Sequence, residues 1–243
     1  MVDLHCHILP GVDDGPSTLD ESVEYARAVA AAGTRVVVAT PHVEQVVVRE
    51  LPERVAEVRA ALAAEAIALE LRVGGELKPE SVPALADDEL ELIAHGPRGA
   101  RWLLFEVPFD GVDDAFRAGA DELRRRGFGL LLAHPERSAE ILDHGLSTVE
   151  RLVAAGALVA ANVDPLRGGE GRERERVAHA LLRRGLPAVI ATDAHPPRRP
   201  FTLAMGRAAV EAATGRRDLA QRLVADAPAR LLAEGLPVAA RAA

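Results

Sequence analysis

Seven stretches of the chain have Val, Leu, Ile or Ala at their centres with no polar alternation between them: 2–5, 35–39, 68–73, 101–107, 128–133, 157–162 and 187–192. Such uninterrupted apolar centres are expected of strands buried on both faces. The segments between them change to a helical period. Residues 17–32 open on Ser17 or Thr18 as N-cap, place Asp20 and Glu21 in the first turn and stop at Gly33. Residues 52–65 put Val55, Val58 and Leu62 on one face. Helices at 113–126, 148–155 and 172–184 each stop at a glycine, and three more, at 201–213, 218–225 and 227–233, follow the last strand as a C-terminal cap. Strand–helix alternation without a Ser/Gly-rich linker predicts one α/β domain over residues 1–235, a parallel sheet closed into a barrel. Residues 236–243 are expected to form a disordered tail. The least regular stretches, 43–50 and 167–170, both follow strand ends and are expected to be loops over a site.

Composition narrows the class. A chain of 243 residues with 49% hydrophobic and 27% charged residues can bury a substantial single core. The net charge of −8 argues against a nucleic-acid binder that works through a broad basic face. Cys6 is the only cysteine, so no intrachain disulfide is possible, and a cytoplasmic protein is expected. No apolar run approaches the roughly 18 residues that span a bilayer. Lys78 is the single lysine among 29 basic residues.

The polar residues that terminate the apolar runs carry the candidate chemistry. In chain order they are His5 and His7, His42 in Thr-Pro-His, Glu76 in Gly-Gly-Glu, Glu106 in Phe-Glu-Val-Pro, His134 in His-Pro-Glu-Arg, Asn162, and Asp193 with His195 in Thr-Asp-Ala-His. Asp13 and Asp14 lie in the first loop. Parallel α/β folds gather chemistry at the C-terminal ends of strands. So many imidazoles and carboxylates at one rim would repel unless metal ions neutralised them, and this mixture suits Mn²⁺, Fe²⁺ or Zn²⁺. Pro41, Pro108, Pro135 and Pro196 each sit within two residues of a candidate ligand, where they end the strand and stiffen the loop.

Together these residues resemble the PHP (polymerase and histidinol phosphatase) superfamily of metal-dependent phosphoesterases, and within it the CpsB/CapC-type protein-tyrosine phosphatases of bacterial capsule and exopolysaccharide operons. The carrying segments are Asp3-Leu-His-Cys-His-Ile-Leu-Pro-Gly-Val-Asp-Asp-Gly-Pro16, Ala39-Thr-Pro-His42, Gly75-Glu76, Phe105-Glu106, Ala133-His-Pro-Glu-Arg137 and Thr192-Asp-Ala-His195. They run from residue 3 to about 200, and the first is the most specific. The resemblance implies a distorted (β/α)₇ barrel of PHP type with extra C-terminal helices and two or three divalent ions, manganese first and iron or zinc as alternatives. One ion would take His5, His7, Glu76 and Asp193. A second would take Glu76, Glu106 and His134. A third would take Asp14, His42 and His195. Val43 stands where such proteins often carry a second histidine, Ser138 follows Arg137 where an aromatic is common, and the segment 196–200 is short and proline-rich. These departures bear on the substrate rather than the ions.

The chemistry implied is metal-assisted hydrolysis of phosphotyrosine in proteins, with Arg137 and Arg199, or Arg198, as phosphate contacts. No Cys-x₅-Arg loop exists, which excludes a cysteine-nucleophile phosphatase. A PHP phosphoesterase acting on histidinol phosphate or another small phosphomonoester, a metal-dependent nuclease, and a metal-stabilised binding protein without turnover are the alternatives. By resemblance the protein partner is the tyrosine-rich tail of a membrane-associated polysaccharide kinase, and the function is regulation of capsule or exopolysaccharide synthesis.

Overall fold

The structure, a computed structural model, describes residues 1–238. Eight parallel strands alternate with helices: β1 (Val2–Cys6), α1 (Leu19–Ala31), β2 (Val36–Ala39), α2 (Leu51–Ala64), β3 (Glu70–Val73), β4 (Glu76–Leu77), α3 (Asp87–Ile93), β5 (Trp102–Glu106), α4 (Asp114–Arg125), β6 (Gly129–Ala133), α5 (Ala139–His144), α6 (Ser147–Ala154), β7 (Leu158–Asn162), α7 (Val163–Leu166), α8 (Arg172–Arg184) and β8 (Pro187–Ala191). All seven expected strands are present. The eighth, β4, is the far half of the third, cut from it by Gly74–Gly75. A Cβ on Gly74 would stand 2.5 Å from a Val38 methyl, and one on Gly75 2.7 Å from a Val43 methyl. Only a chain without side chains here can bend this close to β2, and the bend carries Glu76 inward.

The strands form two sheets, β1-β2-β3 and β4-β5-β6-β7-β8. Two seams join them into a ring. At one, Glu76 bridges to His42 and its N–H donates to Pro41 O at 3.0 Å; at the other, Cys6 bridges to Ala194, with Asp193 N–H on His5 O at 2.9 Å and His7 N–H on Ala194 O at 2.9 Å. Asp3 strengthens the second seam. Its buried carboxylate accepts the Thr192 hydroxyl at 2.6 Å and the Thr192 N–H at 3.1 Å. Burial, outweighing these bonds, raises the Asp3 carboxyl to about 6.

Inside the ring Val2, Leu4, Val38, Trp102, Leu104, Leu131, Ala133, Ala160, Val189 and Ala191 form one cluster, whereas the alternate residues, Leu103, Phe105, Leu130 and Leu132 among them, pack on the helices. The C-terminal helices are α9 (Leu203–Thr214), α10 (Arg217–Gln221) and α11 (Ala227–Glu234). The sequence separates the last two. In the structure they are one continuous run, joined by a π-type segment, Arg222–Asp226. Pro228 lacks an N–H and crowds the carbonyl four residues back, and a widened turn just ahead of it accommodates that defect. Leu231 of α11 closes the N-terminal mouth of the barrel: it joins the interior cluster, and its carbonyl accepts Trp102 Nε1–H at 3.1 Å. Leu236 N–H donates to Ala100 O at 2.8 Å. Of the expected tail, residues 239–243 lie outside the described residues. Among the described residues no helix is long and apolar enough to cross a membrane.

Several short elements are not legible in the sequence, α7, β4 and the 3₁₀ turns Val43–Gln45 and Val48–Glu50 in the expected loop among them, and two more have an evident reason. One is the 3₁₀ turn Pro79–Ala84 with α3, where Pro79, Pro83 and five acids obscure the helical period; the other is the short α5.

Candidate metal centre

The open, C-terminal mouth of the barrel is a cavity of about 640 Å³. Its lining includes Asp14, His42, Glu76, Glu106, His134, Asp193 and His195, and His5 and His7 lie fully buried beneath it. All nine residues expected as ligands therefore meet at one place. Their donor atoms fall into three groups, within each of which they lie no more than 4.8 Å apart: His5, His7, Glu76 and Asp193; Glu76, Glu106 and His134; and Asp14, His42 and His195 with His7.

The first group is the tightest. His5 Nε2 lies 3.2 Å from His7 Nε2, 3.2 Å from Glu76 Oε2 and 3.3 Å from Asp193 Oδ1, and His7 Nε2 lies 3.3 and 3.4 Å from the same two oxygens. These are five of the six edges of one tetrahedron. A regular tetrahedron with edges of this length has its centre about 2.0 Å from each corner, the bond length of a first-row divalent ion to imidazole or carboxylate. Glu76 Oε2, although enclosed by three imidazoles, makes no hydrogen bond, and neither do the buried Glu106 Oε2 and His195 Nε2. Buried polar atoms are normally satisfied, so this convergence of unspent lone pairs fits divalent cations.

Glu76 reaches two groups at once, because its Oε1 lies 2.9 Å from His134 Nε2. His42 faces both ways, with Nδ1 3.2 Å from Glu76 Oε2 and Nε2 3.6 Å from Asp14 Oδ1. His195 Nε2 is 3.0 Å from Asp14 Oδ1, and its ring stacks on that of His7 at 3.8 Å between centroids.

Supporting contacts orient these candidate ligands. Asp13, adjacent to the expected Asp14, takes His7 Nδ1 at 2.6 Å, His42 N–H at 3.2 Å and Gly15 N–H at 3.0 Å. A proton held at Nδ1 by this carboxylate leaves the His7 Nε2 lone pair for an ion. Asn162 Nδ2 donates to Asp193 Oδ2 at 3.0 Å, leaving Oδ1 to the tetrahedron. Two of the candidate ligands have left-handed backbones without being glycine, His134 at φ 35° and Asp193 at φ 46°. Each such residue costs on the order of 1–2 kcal/mol. Firm backbone bonds hold the strained pair, His134 N–H to Ala160 O at 3.0 Å and Asp193 N–H to His5 O. The register between β1 and β2 also shifts between Asp3 and Cys6, the stretch that contains His5.

The carboxylates differ in proton affinity. Burial opposes ionisation of Asp193 and Glu76, but the groups beside them, His5 and the Arg137 guanidinium for Asp193, His5 and the hydrogen bond with His134 for Glu76, hold both well below the usual carboxylate range. Glu106 goes the other way: burial and the neighbouring Glu76 push it up to about 8.

The arginines do not share one role. Arg137, expected to grip phosphate, has its donors committed. Nε donates to both Glu170 oxygens at 2.8 and 3.0 Å, one terminal nitrogen bonds Glu170 again, and the other bonds Asp193 Oδ2. It positions Asp193 instead of presenting a free fork. Glu170, from the irregular segment after α7, is the partner that the sequence did not reveal. Arg199 and Arg198 both line the cavity. Arg199 reaches His195 Nδ1 at 2.5 Å, and Arg198 donates to Asp14 O at 2.7 Å. Cys6 is buried and unpaired, and burial raises its thiol well above the usual value, so it is no nucleophile.

The sequence model of a family described as capsular polysaccharide synthesis, CpsB/CapC, matches residues 1–233. Tyrosine-protein phosphatase YwqE of Bacillus subtilis is 32% identical over 205 residues, which is 80% of this chain and 77% of that protein. A putative tyrosine-protein phosphatase, CapC of Staphylococcus aureus, is 29% identical over 215 residues, 84% of this chain and 80% of its own. Among solved structures, one from a study of YwqE from Bacillus subtilis and CpsB from Streptococcus pneumoniae, described as unique metal-dependent tyrosine phosphatases, matches with a TM-score of 0.82 at 28% identity. It covers 96% of this chain and 94% of its own. An organophosphorus hydrolase from Deinococcus radiodurans, 18% identical with a TM-score of 0.55, shares the fold alone.

Proposed function

Since the chain belongs to the CpsB/CapC family of capsular polysaccharide synthesis, we infer that it is a metal-dependent tyrosine-protein phosphatase, a phosphoric monoester hydrolase. The observation that most supports this reading is the set of three donor groups linked by the shared residues Glu76 and His7 at the base of one open cavity. One ion would be held by His5, His7, Glu76 and Asp193, a second by Glu76, Glu106 and His134, and a third by Asp14, His42 and His195. Clustered divalent ions supply an acidified water at neutral pH and neutralise charge on the phosphate oxygens. Manganese is the ion we propose, with iron or zinc as substitutes in the same mixed nitrogen and oxygen set.

The chain's own residues do the rest. Asp13 fixes the tautomer of His7, and Arg137 and Asn162 hold Asp193 in register. Arg199 and Arg198, on the cavity wall, give the phosphate its cationic contacts. A tyrosine leaving group, with a pKa near 10, needs less help from a general acid than an alkyl alcohol does. The substrate we propose is the phosphotyrosine tail of a membrane-associated polysaccharide kinase met in the cytoplasm, so that dephosphorylation regulates capsule or exopolysaccharide synthesis.

The test compares turnover of a phosphotyrosine peptide and of histidinol phosphate by the manganese-loaded protein, before and after chelation. Peptide hydrolysis that chelation abolishes and Mn²⁺ restores is the expected result. Full activity after chelation would refute the metal mechanism, and faster turnover of histidinol phosphate would move the protein to the small-ester branch.

A further inference from the structure

The chain has five phenylalanines, one tryptophan and one tyrosine. Phe105, Phe116, Phe128, Trp102 and Tyr25 are buried, and Phe201 is half-buried. Phe109 is 53% exposed, and its ring lies on the wall of the metal cavity with its centroid 5.8 Å from that of His134. Leaving so large an apolar surface in water forgoes much of the benefit of burying it.

A loose loop does not account for the exposure. The Phe109 carbonyl accepts the Ala139 N–H at 2.6 Å, and the Val112 N–H donates to the Glu140 carboxylate at 2.7 Å. Gly111 between them has φ 143°, and a Cβ there would come within 3.0 Å of the Glu140 side chain. The start of α5 thus clamps the loop on both sides of the ring. Pro79 and Pro108 line the same cavity, while much of the remaining lining is charged.

We propose that Phe109 is the aryl wall of the substrate pocket, the residue that makes this site prefer phosphate esters of phenols to esters of alkyl alcohols. The proposal rests on the phosphatase reading above and names the part of the site that reads the leaving group. In an aryl phosphate one ester oxygen separates phosphorus from the ring. Phosphate bound near Glu106 and His134 therefore brings that ring within the 4.5–7 Å over which aromatic pairs attract. An alkyl ester offers no face to Phe109 and leaves it wet. A well-placed pair of this kind is worth roughly tenfold in affinity.

The experiment is calorimetric binding of phenylphosphonate and methylphosphonate, neither of which can be hydrolysed, to the manganese-loaded protein. In F109A the phenylphosphonate Kd is expected to rise roughly tenfold while the methylphosphonate Kd stays within about twofold, and F109W should restore the preference. Equal changes for both ligands, no change for either, or no binding of either by the wild type would overturn the proposal. Turnover of p-nitrophenyl phosphate is measured in parallel. Its absence from the wild type counts against the phosphatase reading, whereas an unchanged phenyl-to-methyl ratio in F109A counts against Phe109 alone.

Discussion

Replacing Glu106 with Gln is expected to stabilise the metal-free protein, and to do so increasingly as pH rises. Glu106 is 4% exposed, its Oε2 makes no hydrogen bond, and burial together with Glu76 pushes its carboxyl to about 8. In the unfolded chain the same group titrates near its ordinary value of about 4.3. Below that pH the carboxyl is protonated in both states and contributes no difference. Between about 4.3 and about 8 the unfolded chain has lost the proton while the folded protein still holds it, so each pH unit subtracts about 1.4 kcal/mol from stability. The loss levels off above about 8, at a ceiling on the order of 5 kcal/mol. Glutamine cannot ionise and escapes this loss. Urea unfolding of the chelated proteins at pH 5, 6.5 and 8 is the assay. The variant should exceed the wild type by about 1 kcal/mol at pH 5 and by about 3–5 kcal/mol at pH 8. A difference that stays flat, or shrinks as pH rises, would refute the reasoning. With manganese present the order should reverse, because the carboxylate then has an ion to bind and the amide does not. The penalty in the free protein is the counterpart of affinity for the ion.

Two further outcomes separate support of the site from support of the barrel. Arg137→Lys removes the fork that ties Asp193 to Glu170 and should weaken manganese binding by about 10- to 100-fold in a chelator competition; unchanged affinity would remove Arg137 from the positioning role. Leu231→Ala, at the opposite mouth of the barrel, should cost about 2–4 kcal/mol in denaturant unfolding with manganese affinity unchanged, and a loss of affinity there would mean that the two ends are coupled.

The sequence made the seven strands legible because each is buried on both faces and therefore lacks polar interruption. The candidate ligands were legible for the same reason, since a His, Asp or Glu directly after such a run stands out. What could not be read depends on contacts between distant positions. Asp3 looks like part of the first ligand motif, yet its work is to hold Thr192, 189 residues away. Arg137 has the right chemistry for phosphate, but Glu170, 33 residues on, occupies it. Asp13 and Asp14 are indistinguishable by composition, and only the fold turns one toward His7 Nδ1 and the other toward His195. The left-handed backbones of His134 and Asp193 have no sequence signal, because the residue usually found in that conformation, glycine, is absent at both. Helix α3 was hidden by its run of acids and by the prolines of the turn before it, and β4 by being two residues long.

The seam between β1 and β8 also dictates when the centre can come into being. His5 and His7 leave the ribosome well before Asp193, the fourth corner of their tetrahedron, which follows 186 positions after His7. At translation rates of about 5–20 residues per second, the two histidines wait roughly 10–40 s for that partner. Through that interval the nascent chain can offer an ion only a fragment of the site, so metal loading has to be a late event in biogenesis. Contacts of such long range also place the barrel among slow-folding topologies. A cell starved of the divalent ion would thus accumulate closed barrels whose activation is set by metal supply.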